Sequence, residues 1–460
     1  MPIGACIAAE AAERAGHKVM LLDLMFVDNI QRHLEHAIET TQPDVVGISV
    51  RNIDNNDMKN PRTFFDEVSS LMQMIRKKTD ASIVLGGAAV SIMPEQLLRY
   101  THTSIAVLTN GESVFPRLLS ALKNGESFKK VPGIARIEND IFIKNPLSEE
   151  YFQTSYPCLV PDFFRWINVK SYLARFSTVP VQTKRGCPFK CIYCTYAAGE
   201  GPNYQLCNAT SVINEIKKLV SRGLRDIEFV DNVFNAPYEH ALEICSLLAG
   251  ARLPVRLQAM ELNPKFVDDR LLTAMEQAGF VGIGITAESA DDLILKNLGK
   301  NYTADDVHRA SHVIGRHKLP CFWLFLLGGP GETHQSVQRT LDFARRHVRP
   351  TDTAFFNVGI RIYPGTELEH IARQDGSLHL TQQEMLNTVF YFSRHLDRQW
   401  FSKTLSRTVT ENLNFLDSES LSLPALSVVL RLAYSFGVRQ PLWKYTRFIR
   451  RTLRLLRVYK

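Results

Sequence analysis

Three cysteines lie close together on one short segment of the chain, at Cys187, Cys191 and Cys194. This C-x3-C-x2-C spacing can place thiolates on three irons of a 4Fe-4S cluster and leave the fourth iron without a protein ligand. An open position marks a metal centre that binds a substrate and distinguishes it from one that only holds a fold. The alternative is a zinc knuckle or half of a four-cysteine zinc site, but no second cysteine or cysteine–histidine pair of suitable spacing follows.

The remaining cysteines stand alone in apolar or mixed surroundings, and we expect them to be buried thiols because free cysteine behaves as a small hydrophobe. They are Cys6, Cys158, Cys207, Cys245 and Cys321. The first 25 residues lack a basic start followed by an apolar block, so a secretory signal is not expected. The longest strongly apolar run, 319–327, has nine residues, against about 20 for a membrane-spanning helix. The sequence therefore predicts a cytoplasmic protein.

Four further polar and glycine-rich segments follow predicted strands downstream of the cysteines. They are Asp231-Asn232, Ile285–Ser289, Leu327–Thr333 and Tyr363–Thr366. Gly328 and Gly329 permit close approach of the backbone to a ligand, and Glu288 and Ser289 can hydrogen-bond a ribose or an amino group. Each segment alone is weak evidence, because Gly-Gly-Pro-Gly is a turn more often than a cofactor site. Their order behind a cysteine triplet is the stronger signal.

The triplet and the downstream segments resemble the radical S-adenosylmethionine superfamily over about 190 residues. The resemblance implies that the open iron chelates S-adenosylmethionine and that electron transfer cleaves it to methionine and a 5′-deoxyadenosyl radical. It also implies cofactor contacts, at Tyr193, Asp231, Glu288, Ser289, Gly328 and Gly329. The chain departs from the family pattern at Ala290, where many relatives have a glycine after Glu-Ser.

The pattern of strands and helices around these residues predicts a barrel. Strands are predicted at 178–183, 226–230, 255–259, 282–286, 321–327 and 354–362, with helices between them. Six such units predict a partial (β/α)6 barrel of the TIM type over residues 150–376, whose active site lies at the carboxyl ends of its strands. The cysteine triplet follows the first of these strands.

An α/β pattern of helical periodicity and short β-branched runs also fills residues 1–145, and it predicts a doubly wound parallel sheet of the Rossmann-like type. Strands are expected at 18–22, 45–50, 82–85 and 105–108, and helices at 5–15, 64–77 and 94–100. Such a sheet normally opens with a strand, yet Pro2-Ile-Gly4 leads directly into a helix. The first strand is therefore either missing or encoded before a misassigned start.

This first region resembles the cobalamin-binding domain that precedes the barrel in cobalamin-dependent radical S-adenosylmethionine enzymes. The resemblance is carried by 2–4, 15–17, 47–50, 85–87 and 111–112, and the alternative is a flavodoxin-like sheet that has lost its ligand. The signature Asp-x-His-x-x-Gly is absent, so no histidine is expected on the lower face of cobalt. The resemblance implies contacts to the corrin or its tail, at Ser49, Arg51, Asn52, Gly86, Gly87, Gly111 and Glu112.

The two resemblances together imply methyl transfer to an unactivated carbon of a small biosynthetic intermediate. A 4Fe-4S cluster, S-adenosylmethionine and cobalamin would be the cofactors, and a flavodoxin or ferredoxin would be the electron donor. Alternatives are a cyclisation, ring contraction or oxidation with the same cofactors, and a non-catalytic iron–sulfur or zinc protein that binds a partner. Nothing in the sequence names a catalytic residue or the substrate.

The net charge of +7 is concentrated at the carboxyl end. Residues 441–460 hold seven basic and no acidic residues, so a basic groove for nucleic acid over the fold is not indicated. Apolar residues at helical spacing face Lys444, Arg447, Arg451 and Arg454 across this helix. It can lie on anionic lipid, help to hold an acidic or lipid-like substrate, or dock on the barrel with solvated arginines. We expect 377–460 to be helical.

Overall fold

The amino-terminal region folds as an open α/β sheet, as its sequence pattern predicts. The computed structural model describes residues 1–147, 155–419, 430 and 433–455. The elements of the first region are α1 (Ile3–Arg14), α2 (Ile30–Thr41), β1 (Val45–Ser49), α3 (Phe65–Arg76), β2 (Ser82–Gly86), α4 (Ala88–Ile92), α5 (Pro94–Thr101), β3 (Ile105–Val107), α6 (Gly111–Lys123), β4 (Ile134–Glu138) and β5 (Ile141–Lys144). Strands β1, β2 and β3 are parallel in that order, and β4 and β5 extend the sheet antiparallel.

Two parts of this sheet differ from the prediction. The segment Lys18–Leu22 forms no strand, because the sheet ends at β1 and none of its described strands pairs with this segment. The hairpin of β4 and β5 was not predicted at all. Its turn residues Asn139 and Asp140 have φ angles of 49° and 64°, the left-handed conformation that two-residue hairpin turns require. The Asn-Asp pair between two apolar runs was the signal that could have revealed it.

The second region is built around a parallel sheet of seven strands. Its elements are β6 (Ser155–Tyr156), α7 (Phe163–Trp166), α8 (Val169–Leu173), β7 (Val179–Val181), β8 (Lys184–Arg185), α9 (Tyr196–Glu200), β9 (Gln205–Cys207), α10 (Ala209–Ser221), β10 (Asp226–Phe229), α11 (Tyr238–Ala251), β11 (Arg256–Leu262), α12 (Asp269–Ala278), β12 (Phe280–Glu288), α13 (Asp292–Asn297), α14 (Ala304–Arg316), β13 (Cys321–Leu327), α15 (His334–His347), β14 (Thr353–Val358), β15 (Ile360–Arg361), α16 (Glu367–Gln374), β16 (Phe390–Tyr391), α17 (Arg398–Glu411), β17 (Phe415–Asp417) and α18 (Thr446–Leu455). The order in the large sheet is β17, β14, β13, β12, β11, β10, β7.

The six predicted barrel strands are all present, and a seventh joins them. Strand β17 pairs parallel with β14, although it lies in the segment 377–460 that we expected to be helical. A strand of three residues is too short to show a recognisable alternation of apolar and polar residues in the sequence. The boundary at 376 therefore remains a proposal, since the carboxyl-terminal region also contributes to the barrel sheet.

Local sequence explains why the barrel helices start where they do. Thr303 and Asp306 form a reciprocal capping box at the start of α14, and Thr333 and Ser336 form another at α15. Each box satisfies backbone N–H groups that the first helical turn leaves unpaired. Strand β13, Cys321–Leu327, is a continuous apolar run, as expected for a parallel strand covered on both faces.

A buried ion pair joins the two regions. Asp54, on the loop that follows β1, accepts a hydrogen bond of 2.7 Å from Nε of Arg361 in β15. The exposed fractions of the two side chains are 0% and 2%. The guanidinium of Arg361 also donates to the backbone carbonyls of Ile362, Val389 and Met385. These contacts fix the loop of the first region on the barrel.

The carboxyl-terminal helix lies at the opposite end of the barrel from the predicted active site. The indole of Trp443, just before α18, packs beside Phe322 and Gly282, and Thr353 donates to the carbonyl of Trp443 over 2.8 Å. These residues lie near the starts of β13, β12 and β14. The expectation that this helix helps to build the substrate pocket at the carboxyl ends of the strands is therefore wrong.

Loss of one partner of the buried ion pair should destabilise the fold. Arg361→Met leaves the carboxylate of Asp54 buried without a counter-charge, so we expect the free energy of unfolding to fall by about 3–5 kcal/mol. The double variant Asp54→Asn with Arg361→Met should recover part of that loss. Denaturant unfolding measures both effects.

The matched control is Arg62→Met, which breaks the exposed pair of Arg62 and Glu67 and should cost at most about 1 kcal/mol. Equal losses of stability for Arg361→Met and Arg62→Met would contradict the assignment of Asp54–Arg361 as a structural link.

Candidate functional site

The three cysteines lie on a loop that the barrel holds at both ends. Gly186, just before Cys187, has a φ angle of 76°, and a Cβ at this position would collide with the carbonyl of Asn203. The backbone N–H of Cys187 donates to the carbonyl of Gly201, and that of Ile192 donates to Leu298. The loop conformation is thus set by backbone contacts that do not involve the thiols.

The donor set of this loop fits an iron–sulfur cluster. Cys187, Cys191 and Cys194 are all free thiols, and burial raises the pKa of Cys187 and raises that of Cys194 to about 11. A bound iron would offset this burial by stabilising the thiolates. Among the described residues no three histidine, cysteine or acidic side chains converge to hold a single metal ion. A cubane does not need such convergence, because it spreads three thiolates over three irons.

Tyr193, which lies on the cluster loop, forms a hydrogen-bonded triad with the buried side chains of Glu288 and Lys300. The Tyr193 hydroxyl donates to Oε1 of Glu288 over 2.6 Å, and Nζ of Lys300 lies 2.8 Å from the same oxygen and 2.7 Å from the tyrosine hydroxyl. Burial and the neighbouring carboxylate raise the pKa of Tyr193. Burial alone would lower the pKa of Lys300, but Glu288 and Tyr193 raise it above its ordinary value. The lysine therefore stays charged and the tyrosine stays protonated.

The backbone of Glu288 is itself unusual. It ends strand β12 with a φ angle of 59°, beside an irregularity in the pairing of β12 with β13. A non-glycine residue in the left-handed region costs on the order of 1–3 kcal/mol and persists only where its surroundings enforce it. Here the ion pair with Lys300 is the contact that holds the carboxylate in place.

The triad opens into a cavity of about 220 Å3 that both regions line. Barrel residues at its wall include Tyr193, Glu261 and Glu288, whereas Asn56 comes from the loop after β1. This loop is the one that the Asp54–Arg361 ion pair fixes on the barrel. The cavity therefore depends on the contact between the two regions.

Among the residues that the structure describes, Glu261 is the acid of this cavity whose carboxyl group has no hydrogen-bond donor. It is the penultimate residue of strand β11, and burial, with Glu288 nearby, raises its pKa to about 8. No side-chain hydrogen bond to its carboxylate is formed by any described residue. A carboxyl group in this position is available to a ligand.

Four residues predicted to contact S-adenosylmethionine form hydrogen bonds within the protein instead, and they do not line this cavity. Both oxygens of the Asp231 carboxylate bind Thr183 and Lys184, and the Ser289 hydroxyl lies 3.1 Å from that of Thr340. The other two are Gly328 and Gly329. Their backbone N–H groups both donate to the carboxylate of Glu332. Tyr193 and Glu288 are the two predicted contacts that the structure brings together at the cavity.

Glu332 is buried in the turn after β13. Burial raises its pKa to about 8, against the lowering effect of the two glycine N–H donors. Its carboxyl group occupies the turn in which we predicted that Gly328 and Gly329 contact S-adenosylmethionine. The backbone N–H groups of Gly328 and Gly329 thus serve to hold this turn.

The positions predicted to contact cobalamin lie at the carboxyl ends of β1, β2 and β3. Ser49 and Gly86 are paired at the ends of two adjacent strands, and Ser49, Arg51, Asn52 and Gly87 are exposed there. Gly87 has a φ angle of 96°, and a Cβ on it would lie 2.5 Å from the carbonyl oxygen of Val50. This open edge of exposed polar and glycine residues fits a large flat ligand.

The other two positions, Gly111 and Glu112, begin helix α6. The carboxylate of Glu112 forms an ion pair with Arg185, which also donates to Asn110 over 2.8 Å. Arg185 stands two residues before Cys187. Glu112 therefore ties the first region to the cluster loop, in addition to its place near the predicted cobalamin edge.

Sequence reasoning missed Lys300 and Glu261. Lys300 follows a helix and belongs to no recognisable motif, so only its contacts reveal it. Glu261 lies two residues beyond the predicted end of its strand at 259, and strand β11 in fact continues to Leu262. A longer strand would have placed an acid at a carboxyl end, which is where a barrel active site is expected.

Comparison with known proteins matches both regions. Residues 181–344 match the Radical SAM superfamily, and residues 1–119 match the B12 binding domain. The chain is 27% identical to an uncharacterized methyltransferase of Pyrococcus horikoshii, over 80% of this chain and 77% of that one. It is 23% identical to the tryptophan 2-C-methyltransferase of Streptomyces laurentii, over 79% of this chain and 70% of the relative.

The fold is that of a solved methyltransferase. The radical S-adenosylmethionine methyltransferase TsrM from Kitasatospora setae, with cobalamin and a [4Fe-4S] cluster bound, superposes with a TM-score of 0.86. The sequence identity is 22%, over 99% of this chain and 96% of TsrM. TsrM has also been solved with a tryptophan substrate and a SAM analogue.

The B12 binding domain and the radical SAM domain thus occur in one chain, and the loop that carries the three free cysteines contributes Tyr193 to the cavity that both regions line. The chain belongs to the cobalamin-dependent radical SAM family and is an enzyme whose cofactors are a 4Fe-4S cluster, S-adenosylmethionine and cobalamin.

Proposed function

We propose that this enzyme transfers a methyl group to an unactivated carbon of a small biosynthetic intermediate. The observation that carries the proposal is the cavity that Asn56 of the cobalamin-binding region and Tyr193, Glu261 and Glu288 of the barrel line together. A substrate bound there would meet both cofactor regions at once. When bound, the cluster with S-adenosylmethionine supplies a hydrogen-abstracting radical, and cobalamin supplies a transferable methyl group.

In this proposal the chain positions the reactants and keeps other groups away. Cys187, Cys191 and Cys194 bind the cluster, and Tyr193 and Glu288 contact S-adenosylmethionine. The buried Lys300 holds both of these side chains in fixed orientations. A fixed geometry matters because a primary carbon radical abstracts hydrogen from whichever C–H bond is nearest.

The other predicted contacts act through neighbouring groups. Asp231 fixes Thr183 and Lys184, which precede the cluster loop. Ser289 ties the end of β12 to α15 through Thr340, and Gly328 and Gly329 hold the turn around Glu332. We propose these four as positioning residues. The open edge formed by Ser49, Arg51, Asn52, Gly86 and Gly87, with Gly111 and Glu112, is the proposed cobalamin site.

We assign substrate binding to Glu261. Its carboxyl group lines the cavity and has no hydrogen-bond donor among the described residues. An N–H or O–H group of the substrate can satisfy it, and the resulting charge-assisted bond would orient the substrate. The tryptophan substrate of TsrM supports a small molecule as the substrate of this enzyme.

Two further features of the proposal follow from the chemistry. The cluster needs an external one-electron donor, and a flavodoxin or ferredoxin is of the appropriate class. Free thiols at all eight cysteines suit a reducing compartment, so we place the reaction in the cytoplasm. The rival function keeps the cofactors but performs a cyclisation, ring contraction or oxidation.

Replacing Cys187, Cys191 and Cys194 together by alanine should remove the cluster. Anaerobically reconstituted wild-type protein is expected to bind about four irons with matching sulfide, whereas the triple variant should bind none. Iron and sulfide analysis with electron paramagnetic resonance measures this. The control Cys245→Ala removes a buried core thiol and should retain the iron, and equal iron in all three proteins would refute the cluster assignment.

Methyl transfer predicts a fixed product ratio. Each turnover at an unactivated carbon uses one S-adenosylmethionine as methyl donor and one as radical source. Deuterated-methyl S-adenosylmethionine with a small-molecule extract of the source cells should therefore give S-adenosylhomocysteine and 5′-deoxyadenosine in equal amounts, together with a labelled product detected by mass spectrometry. Deoxyadenosine alone would favour the rival function, and S-adenosylhomocysteine alone would indicate an activated carbon.

Glu261→Gln should weaken substrate binding. Because the carboxyl group of Glu261 ionises as the pH rises through about 8 and the carboxylate is the stronger acceptor, KM of the wild type should fall over this range. The variant should lose this pH dependence, with KM raised about 10- to 100-fold at pH 9 and kcat changed less. The control is Glu239→Gln, which changes an exposed carboxylate outside the cavity. Identical KM profiles for Glu261→Gln and wild type would exclude the assigned role.

A further inference from the structure

Helix α18 docks on the barrel through an arginine. The guanidinium of Arg450 is buried and donates to the carbonyls of Val409, Asn412 and Phe415, at the end of α17 and the start of β17. Thr446 is buried on the same side, where its hydroxyl donates to the carbonyl of Trp443. One of the alternatives drawn from the sequence was docking on the barrel with solvated arginines. The structure instead docks this helix through a polar face, because the carbonyls at the end of α17 need donors.

Three apolar residues of α18 consequently face outward, whereas Leu453 is half-buried. Phe448 is 70% exposed and Leu455 is 76% exposed, and their spacing of seven residues places them on one line along the helix. Ile449, at the side of this line, is 41% exposed. A protein in water does not gain stability from displaying these side chains, so the face suits contact with another apolar phase.

The charge beside this line is entirely positive. Arg447 and Arg451 are exposed and form no ion pair with a described residue. No acidic residue follows Glu419 in the sequence, whereas nine basic residues do. An exposed line of Phe and Leu flanked by arginines has the composition of a helix that lies in a membrane interface.

We propose that α18 binds the surface of an anionic phospholipid bilayer, with Phe448 and Leu455 inserted among the acyl chains and Arg447 and Arg451 at the headgroups. Charge complementarity favours this occupant over a second copy of the chain, because the segment offers no acidic residue to pair with its own arginines. No described helix is long and apolar enough to span a membrane, so the contact is peripheral.

The position of α18 defines what this contact does. Trp443 anchors the helix near the starts of the barrel strands, whereas the cavity lies at their carboxyl ends. Membrane binding therefore tethers the enzyme with its cavity directed away from the lipid. It does not deliver a lipid substrate to the cavity, and the variants below should leave the reaction intact.

Vesicle co-sedimentation of the full-length protein tests the proposal. We expect binding to phosphatidylcholine vesicles that contain phosphatidylglycerol, weaker binding at high salt, and little binding to phosphatidylcholine alone. Arg447→Gln with Arg451→Gln should lower the partition coefficient more than tenfold, since each basic residue near an anionic surface contributes about a fivefold factor. Phe448→Ser with Leu455→Ser should also release the protein.

Matched controls change exposed residues elsewhere. One control is Leu247→Ser with Leu293→Ser, which removes two exposed apolar side chains. The other is Arg32→Gln with Arg346→Gln, which removes two exposed arginines. Both should bind as the wild type does. Circular dichroism establishes that each variant is folded. The proposal would be overturned by absence of wild-type binding to anionic vesicles, by α18 variants that both bind as strongly as the wild type, or by a concentration-dependent dimer that Phe448→Ser with Leu455→Ser abolishes. The product assay is separate, so failure here leaves the proposed methyl transfer untouched.

Discussion

The ion pair between Asp54 and Arg361 is the contact on which the site depends. It is fully buried, and it joins a loop of the cobalamin-binding region to the short strand that follows the last long strands of the barrel. Two residues beyond Asp54, Asn56 reaches the cavity that Arg361 and Tyr363 also line. Isolated charges are costly in such a place, whereas a paired aspartate and arginine with further carbonyl acceptors satisfy each other. The pair therefore holds the loop that carries Asn56 against the barrel, where Asn56 lines the cavity.

A second constraint fixes the chemistry at the barrel end of the cavity. The cluster loop is shaped by backbone contacts around Gly186, so its thiols remain available for metal. Tyr193 on that loop is held by Glu288 and Lys300. Arg185 on the preceding strand is paired with Glu112 of the other region. The loop that would bind the cluster is thereby attached to both the barrel and the cobalamin-binding region.

Much of this arrangement is predictable from the sequence, because it depends on local patterns. The cysteine spacing, six barrel strands and the parallel strands β1 to β3 are visible as periodicity and motifs. Long-range pairing is not visible in this way, so the Asp54–Arg361 pair, Lys300 and the three-residue strand β17 were missed. The strand predicted at 18–22 is absent from the structure, because a segment forms a strand only when a neighbouring strand pairs with it. The docking of α18 was misjudged because periodicity shows which residues share a face but not which face meets the protein.

We propose that the cluster and cobalamin face each other across the cavity between the two regions. Electron paramagnetic resonance of the enzyme loaded with both cofactors, with the cluster reduced and the cobalt paramagnetic, tests it most directly. We expect each signal to be broadened or split by the other, because two spins on either side of one small cavity interact strongly. Two unperturbed spectra that simply add together would contradict it.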